Sequence, residues 1–385
     1  MNRAIFFLTL FLVALTAQLL TTRCSAPEAA AVGPVQFDPA AAPYPHLSDY
    51  AFFSGELRRL EANAGVLPYE LITPLFTDYA HKARFVWMPD SVEATVDAEG
   101  NVLFPDNTVL IKNFYYPADF SQPDADWDLV ETRLLMRRAG KWDAYTYVWN
   151  EEQTEAKLNL VGAIRPVSWR DEAGVDRQIQ YVVPNKNQCK SCHNRRNTFQ
   201  PIGPKVRNLN KPVTDADGRP TNQLQGWQAA GLLAAGDYAA QFQPVAAWDD
   251  PAHELEARAL AYLDVNCGHC HHPEGPAHTT GLFLTVDYAE DPVRLGFCKS
   301  PVAAGRGSGD RRFGIAPGRP DQSILVYRME ADDPGVMMPE IGRVIPHSEG
   351  IKLVRQWIAG LEGEIKALPA EEEKAATLRT AIAED

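Results

Sequence analysis

Val130-Glu131-Thr132-Arg133-Leu134-Leu135-Met136-Arg137-Arg138-Ala139-Gly140-Lys141-Trp142-Asp143-Ala144-Tyr145-Thr146-Tyr147-Val148-Trp149-Asn150 carries two runs of β-branched, aromatic and long apolar residues around a short polar break. Such residues suit a pleated, half-buried surface, so 130–138 and 142–150 are expected as paired strands. Ala139-Gly140-Lys141 supplies the hairpin turn between them. Upstream, residues 83–89 and 108–117 have the same texture, and Gly100-Asn101 marks another turn. Downstream, shorter runs follow at 157–164 and 177–183. Strands in succession, with no helical stretch between them, predict an antiparallel β-rich domain over residues 46–250 and argue against a βαβ array.

Past residue 183 the pattern changes. A Pro-, Gly- and Asn-rich stretch runs to about residue 213, followed by a short helical patch at 224–235. Leu255, Ala259, Tyr262 and Asn266 recur at helical spacing within 253–266. Ser348 is expected as the N-cap of a helix over 348–361, with Ile351, Val354, Trp357, Ile358 and Leu361 on one face. Residues 366–385 read as a charged tail. At the other end, Arg3 precedes an uncharged, mostly apolar run over 4–20, so 1–26 is expected as an export signal and the Ala/Pro-rich 27–45 as a linker. Cys24, just after the apolar run, is a candidate for lipidation. The bulk of the chain is expected to be periplasmic or otherwise extracytoplasmic, touching a membrane only through such a lipid or a retained signal anchor. A net charge of −13 over 385 residues, with no basic stripe, excludes nucleic acid as a partner.

Two pentapeptides carry the chemistry: Cys189-Lys190-Ser191-Cys192-His193 and Cys267-Gly268-His269-Cys270-His271. Two cysteines three positions apart share one helical turn and reach both vinyl groups of a porphyrin, forming thioethers. The His that follows then lies under the iron. A thioredoxin-like redox pair and half of a zinc site are the competing readings. Two copies in register behind an export signal favour two covalently attached c-type haems, with Cys189, Cys192, Cys267 and Cys270 as attachment sites and His193 and His271 as iron ligands. The sixth ligand of the first haem is open. No Met occurs between Cys192 and Met329, leaving Met88, Met136, His46, His81, His253, a Lys, or an open iron. His269, His272 and His278 crowd the second motif as solvent-facing or haem-edge residues, and Cys298, with no evident partner beyond a retained Cys24, is expected as a buried thiol. Trp127, Trp142, Tyr145, Tyr147 and Trp149 are a core or a sugar-binding platform, with core the commoner use of strand aromatics.

Residues 253–362, with a helix leading into the second motif, Met338-Pro339 in a loop and a helix closing the segment, resemble a class I cytochrome c domain. The resemblance implies Met338 as sixth ligand of the second haem, with Met337 the alternative. It also implies a helix crossing in which Ala259 or Ala261 faces Trp357. Pro201-Ile202-Gly203-Pro204 resembles the loop of that class in which a Pro carbonyl accepts the proximal His Nδ1–H. Longer stretches, among them residues 73–82, 145–150, 298–305 and 337–343, resemble a family of bacterial di-haem c-type cytochromes. Residues 104–112 are similar to the P460-type cytochromes, in which a Lys is cross-linked to the haem, here Lys112. The expected fold class is therefore α+β: an N-terminal antiparallel β-rich domain carrying the first haem motif, and a C-terminal all-α class I cytochrome c-like domain over 251–365. The expected function is exported electron transfer between redox partner proteins, such as a dehydrogenase and a terminal acceptor. The alternative is a haem enzyme, peroxidase-like or P460-like, using an open first haem with the second as relay.

Overall fold

The computed structural model describes residues 33–214 and 218–362. The export signal, Cys24, the first part of the linker and the charged tail lie outside the described residues. The centre of the molecule is a six-stranded sheet: β1 (Val66–Pro68), β2 (His81–Trp87), β3 (Val109–Pro117), β4 (Trp127–Arg138), β5 (Lys141–Trp149) and β6 (Ala156–Asn159). Their order in the sheet is their order in the chain, each antiparallel to the next. At the β4–β5 turn Ala139 and Gly140 both take left-handed angles (φ 48° and 75°), the pattern that matches strand twist in a two-residue hairpin. The run expected at 157–164 is broken at Gly162 (φ +85°), where a Cβ would stand 2.8 Å from the Val183 carbonyl. It divides into β6 and the start of β7 (Ala163–Arg170), which pairs with β8 (Asp176–Val183) as a separate hairpin.

Strand alternation gives the sheet two buried faces. One, with Phe85, Ile111, Leu134, Met136 and Tyr145, is covered by the segment from Val35 to Leu60, so the latter part of the expected linker packs onto the core. The β6 edge is closed by that segment too, through a bridge between His46 and Lys157. The other face is covered in two patches. Val86 and Leu110 pack under α2 (Val206–Leu209) and α3 (Gln223–Ala229). Phe114, Tyr116 and Val130 pack under the β7–β8 hairpin. The middle of this face is left to the two pentapeptides. The first lies on α1 (Lys186–Cys192), tied to β5 by Lys186 Nζ and Asp143 at 2.6 Å.

The expected all-α class I cytochrome c-like domain is not what residues 251–365 form. The chain is β-rich, and its seven α-helices among the described residues are short: α1, α2, α3, α4 (Tyr238–Gln241), α5 (Leu255–Asn266), α6 (Ile324–Glu330) and α7 (Ser348–Gly360). Between Asn266 and Ile324 run loops, single 3₁₀ turns and isolated bridges, Phe297 with Ile315 and Phe313 with Ser323. Pro273, Pro276, Pro292, Pro301, Pro317 and Pro320, interspersed with Gly275, Gly305, Gly307, Gly309, Gly314 and Gly318, explain why helix does not persist there. The residues on either side of this segment are tied to the loop that leads into β2. Phe76 N donates to Asn266 Oδ1 (2.8 Å), and Val344 N and Ile345 N both donate to the buried Asp78 carboxylate (2.7 and 3.0 Å). Tyr79 Oη donates to Glu349 at 2.7 Å.

Helices α5 and α7 share one core cluster, in which Ala259 and Trp357 both take part. A tight contact between them lies elsewhere: Gly350 sits under Tyr262, and a Cβ there would collide with the phenol ring. The N-cap of α7 is His347 and not Ser348. Neither side chain caps the helix.

Candidate functional site

Asn185 starts α1 with a capping box. Its Oδ1 accepts from Asn187 N and Gln188 N (both 3.0 Å), while Gln188 Oε1 accepts from Asn185 N at 2.9 Å. The helix is thereby anchored just before Cys189, which is buried, and Cys192, which is half-buried. His193 is the C-cap. Its ring stacks on Phe199 (centroids 5.0 Å apart), and Nδ1 is 2.9 Å from the Gln200 carbonyl. The acceptor is thus the residue before Pro201, not a Pro of the 201–204 loop, because Gln200 N also bonds back to the His193 carbonyl and closes the turn there. Burial lowers the His193 pKa to about 3, so the ring is neutral with Nε2 available.

The second motif begins at the end of α5. Asn266, the last helical residue, binds Phe76 of the sheet domain, and Cys267 follows as the C-cap. His271 is also neutral, its pKa lowered by burial to about 4. The Leu282 carbonyl raises its basicity somewhat, but Nδ1 is buried without a hydrogen bond of proper geometry.

The two motifs converge. Ligand atoms of Cys192, His269 and Cys270 all lie within 4.8 Å of one another. A hydrogen bond from Cys270, and then His269, lowers the Cys192 thiol, while the same bond raises Cys270. The flanking loops are latched as well. Arg195 and Arg196 both pair with Glu274, and Arg196 N donates to the Glu274 carbonyl at 3.0 Å.

Two cavities open at this junction. The larger, about 490 Å³, is lined by Cys192, His193, His269 and His272 on the motif side and by Arg84, Leu110, Lys112, Arg133 and Leu135 on the sheet side. The smaller, about 100 Å³, holds Cys189, Cys192, His193, Cys267 and Met338 in its wall, with Met329, Tyr262 and His347. Lys112, Arg133, Cys192, His193 and His269 border both.

For the first motif these residues fit a covalently held haem: two free thiols and a neutral imidazole with one nitrogen already oriented, all at a cavity wall. For the second the fit is partial. Cys267 and Met338 face the smaller cavity, whereas Cys270 turns toward Cys192 and His271 borders neither cavity. Met337 is buried apart from both cavities. Among the candidates for a sixth ligand at the first motif, Met88 and Met136 fill core, His46 pairs with Asp49, and His81 packs on Tyr115 and Phe120. None of these, nor the exposed His253, borders a cavity, whereas Lys112 borders both. Trp142, Tyr145, Tyr147 and Trp149 are core residues, and Cys298 is a free thiol that is exposed, not buried as expected.

One site residue escaped the sequence reading. His347 stacks on Phe76 (4.1 Å), with Trp248, Tyr79 and Tyr262 around it, and Tyr262 Oη is 3.0 Å from its Nδ1. Burial lowers its pKa to about 4. No motif marks it, and its four aromatic neighbours come from three separate segments.

Comparison with protein-family models, curated proteins and solved structures gives no match to this chain.

Proposed function

We propose that the chain is an exported di-haem c-type cytochrome that passes single electrons between periplasmic redox partner proteins, akin to the bacterial di-haem c-type cytochromes. Cys189 and Cys192 hold one haem, with His193 as iron ligand. Cys267 and Cys270 hold the other, with His271 and Met338 as ligands. The observation that carries this reading is the meeting of Cys192 with Cys270, each the second cysteine of its motif. Groups anchored on these two residues are neighbours, which suits electron exchange between them. When bound, the haems supply one-electron chemistry at iron. The chain's own part is to keep both imidazoles neutral by burial, to orient His193 through Gln200, and to face Met338 into the cavity that Cys267 borders.

The test is the intact mass of the full chain from a host that attaches c-type haem. The wild type is expected two haems above the polypeptide. The pairs Cys189→Ser/Cys192→Ser and Cys267→Ser/Cys270→Ser are each expected to lose one. A wild-type mass equal to the bare polypeptide would overturn the reading.

A second reading, a haem enzyme acting at the first motif, is favoured by the larger cavity beside His193, where no Met among the described residues forms part of the wall. The two readings separate on spin state. Low-spin EPR signals from both irons support electron carriage, whereas a high-spin signal that persists in Cys267→Ser/Cys270→Ser supports catalysis at the first haem.

A further inference from the structure

Across the middle of the sheet, Arg84 of β2, Lys112 of β3 and Arg133 of β4 stand directly opposite one another. They share a face and form one cross-strand row between the two apolar patches that cover the rest of it. Like charges directly opposite in a sheet are destabilising, and low-dielectric surroundings on either side sharpen the repulsion. Lys82, two residues along β2, adds a further positive charge on that face.

Negative charge at the row is scarce. Glu131 takes Arg133 through Nε (2.9 Å) and Nη2 (2.5 Å) and accepts a third bond from Tyr181 Oη at 2.6 Å. Glu70, near Arg84, is paired with Lys211. Among the described residues Arg84 itself reaches only the Lys82 carbonyl with Nη1, at 3.4 Å, and its Nη2 is buried without a partner there. Lys112 Nζ lies over the Phe114 ring at 4.7 Å, and the Arg133 guanidinium lies over the same ring at 4.4 Å. Burial and the neighbouring cations push the Lys112 pKa well down. All three side chains line the cavity of about 490 Å³.

We propose that this row is an anion site: Arg84 and Lys112, with Arg133 behind them, bind a carboxylate or comparable oxyanion that enters the larger cavity. A planar guanidinium fork with a free N–H, beside a Lys112 amine that an entering anion would favour in its protonated form, is matched to such a group. Two sources offer this chemistry. One is a small oxyanion free in solution. The other is the carboxylates of a haem held at Cys192, and only this second source rests on the function proposed above.

The experiment uses the purified full chain with its haem content first fixed by intact mass. Calorimetric titration with nitrite, acetate and inorganic phosphate tests the free source, and the midpoint potential of each haem tests the bound one. Arg84→Gln and Lys112→Gln are compared with Lys112→Arg, which keeps the charge, and with Lys141→Gln, an exposed control on the same sheet. Saturable anion binding that weakens about tenfold or more in both Gln variants, and not in the other two, supports a free-anion site. No free binding, but one haem potential moved lower by Lys112→Gln and restored in Lys112→Arg, supports the haem carboxylates as occupant. Loss of a nearby cation destabilises the more negative, reduced state. Binding and potentials that are alike in all four variants and the wild type would overturn the proposal. So would anion binding that survives both Gln substitutions. If the mass shows no haem, the function proposed above fails, while the calorimetric arm still decides the anion site.

Discussion

Glu131 has no exposed surface and is held between the Arg133 fork and the Tyr181 hydroxyl. Breaking a buried pair from one side leaves the other charge uncompensated. Glu131→Gln is therefore expected to lower unfolding stability by about 3 kcal/mol. Glu56→Gln, which removes an exposed pair with Arg59 at 3.8 Å, is expected to change it by less than about 0.5 kcal/mol. Urea denaturation of both variants checks this, and equal effects would show that the Glu131 contacts carry no special weight. At this scale the sequence is legible only where chemistry is local. The cysteines and histidines of the pentapeptides could be read because five adjacent residues define them. Glu131 and Arg84 could not, and Lys112 stood out only through a family likeness, since a charged strand residue becomes part of a row only once register is known. His347 was hidden for the same reason, its surroundings being assembled from distant segments.

Strands β2 to β5 lie within a few residues of where their composition placed them, because β-branched and aromatic residues were bounded by clear turns. Helices α5 and α7 were legible as well, through apolar spacing. Their contact was not: Trp357 and the alanines of α5 are the conspicuous partners, but the place with no room for a Cβ is Gly350 under Tyr262. Gly350→Ala puts this to the test. In a free helix the change is worth about 1 kcal/mol in favour of Ala. Here the added methyl must displace Tyr262, so a net destabilisation of about 1–2 kcal/mol is expected. Thermal unfolding that moves upward instead would mean the crossing has slack. The absence of an all-α C-terminal unit has the same origin. Helix ends and a Met-Pro pair are visible in a sequence, but the long Gly- and Pro-rich stretch between Asn266 and Ile324 takes its form from packing Leu284, Leu295 and Ile315 against α5 and α7.

For the molecule as a whole, the junction of the two motifs depends on Glu274. Its hydrogen bond from Arg195, helped by the charge of Arg196, holds the carboxyl below its usual range. A depressed carboxyl pKa adds stability that is complete above the ordinary Glu value, about 4.3, and disappears as pH falls through the lower folded value. The stability difference between wild type and Glu274→Gln is thus expected to shrink between about pH 6 and pH 3. A difference that stays constant over that range would assign the latch to packing alone. The ties from Asp78 and Tyr79 to Val344, Ile345 and Glu349 have a consequence of a different kind. Synthesis runs from the N-terminus, so the sheet wall and both pentapeptides exist before the segment from Met338 to Ile351 has been made. Until that segment arrives, the chamber is a shelf with one side missing. The door is hung last: a guest too large for the finished opening would have to enter before residues such as Met338, Arg343 and His347 complete the wall.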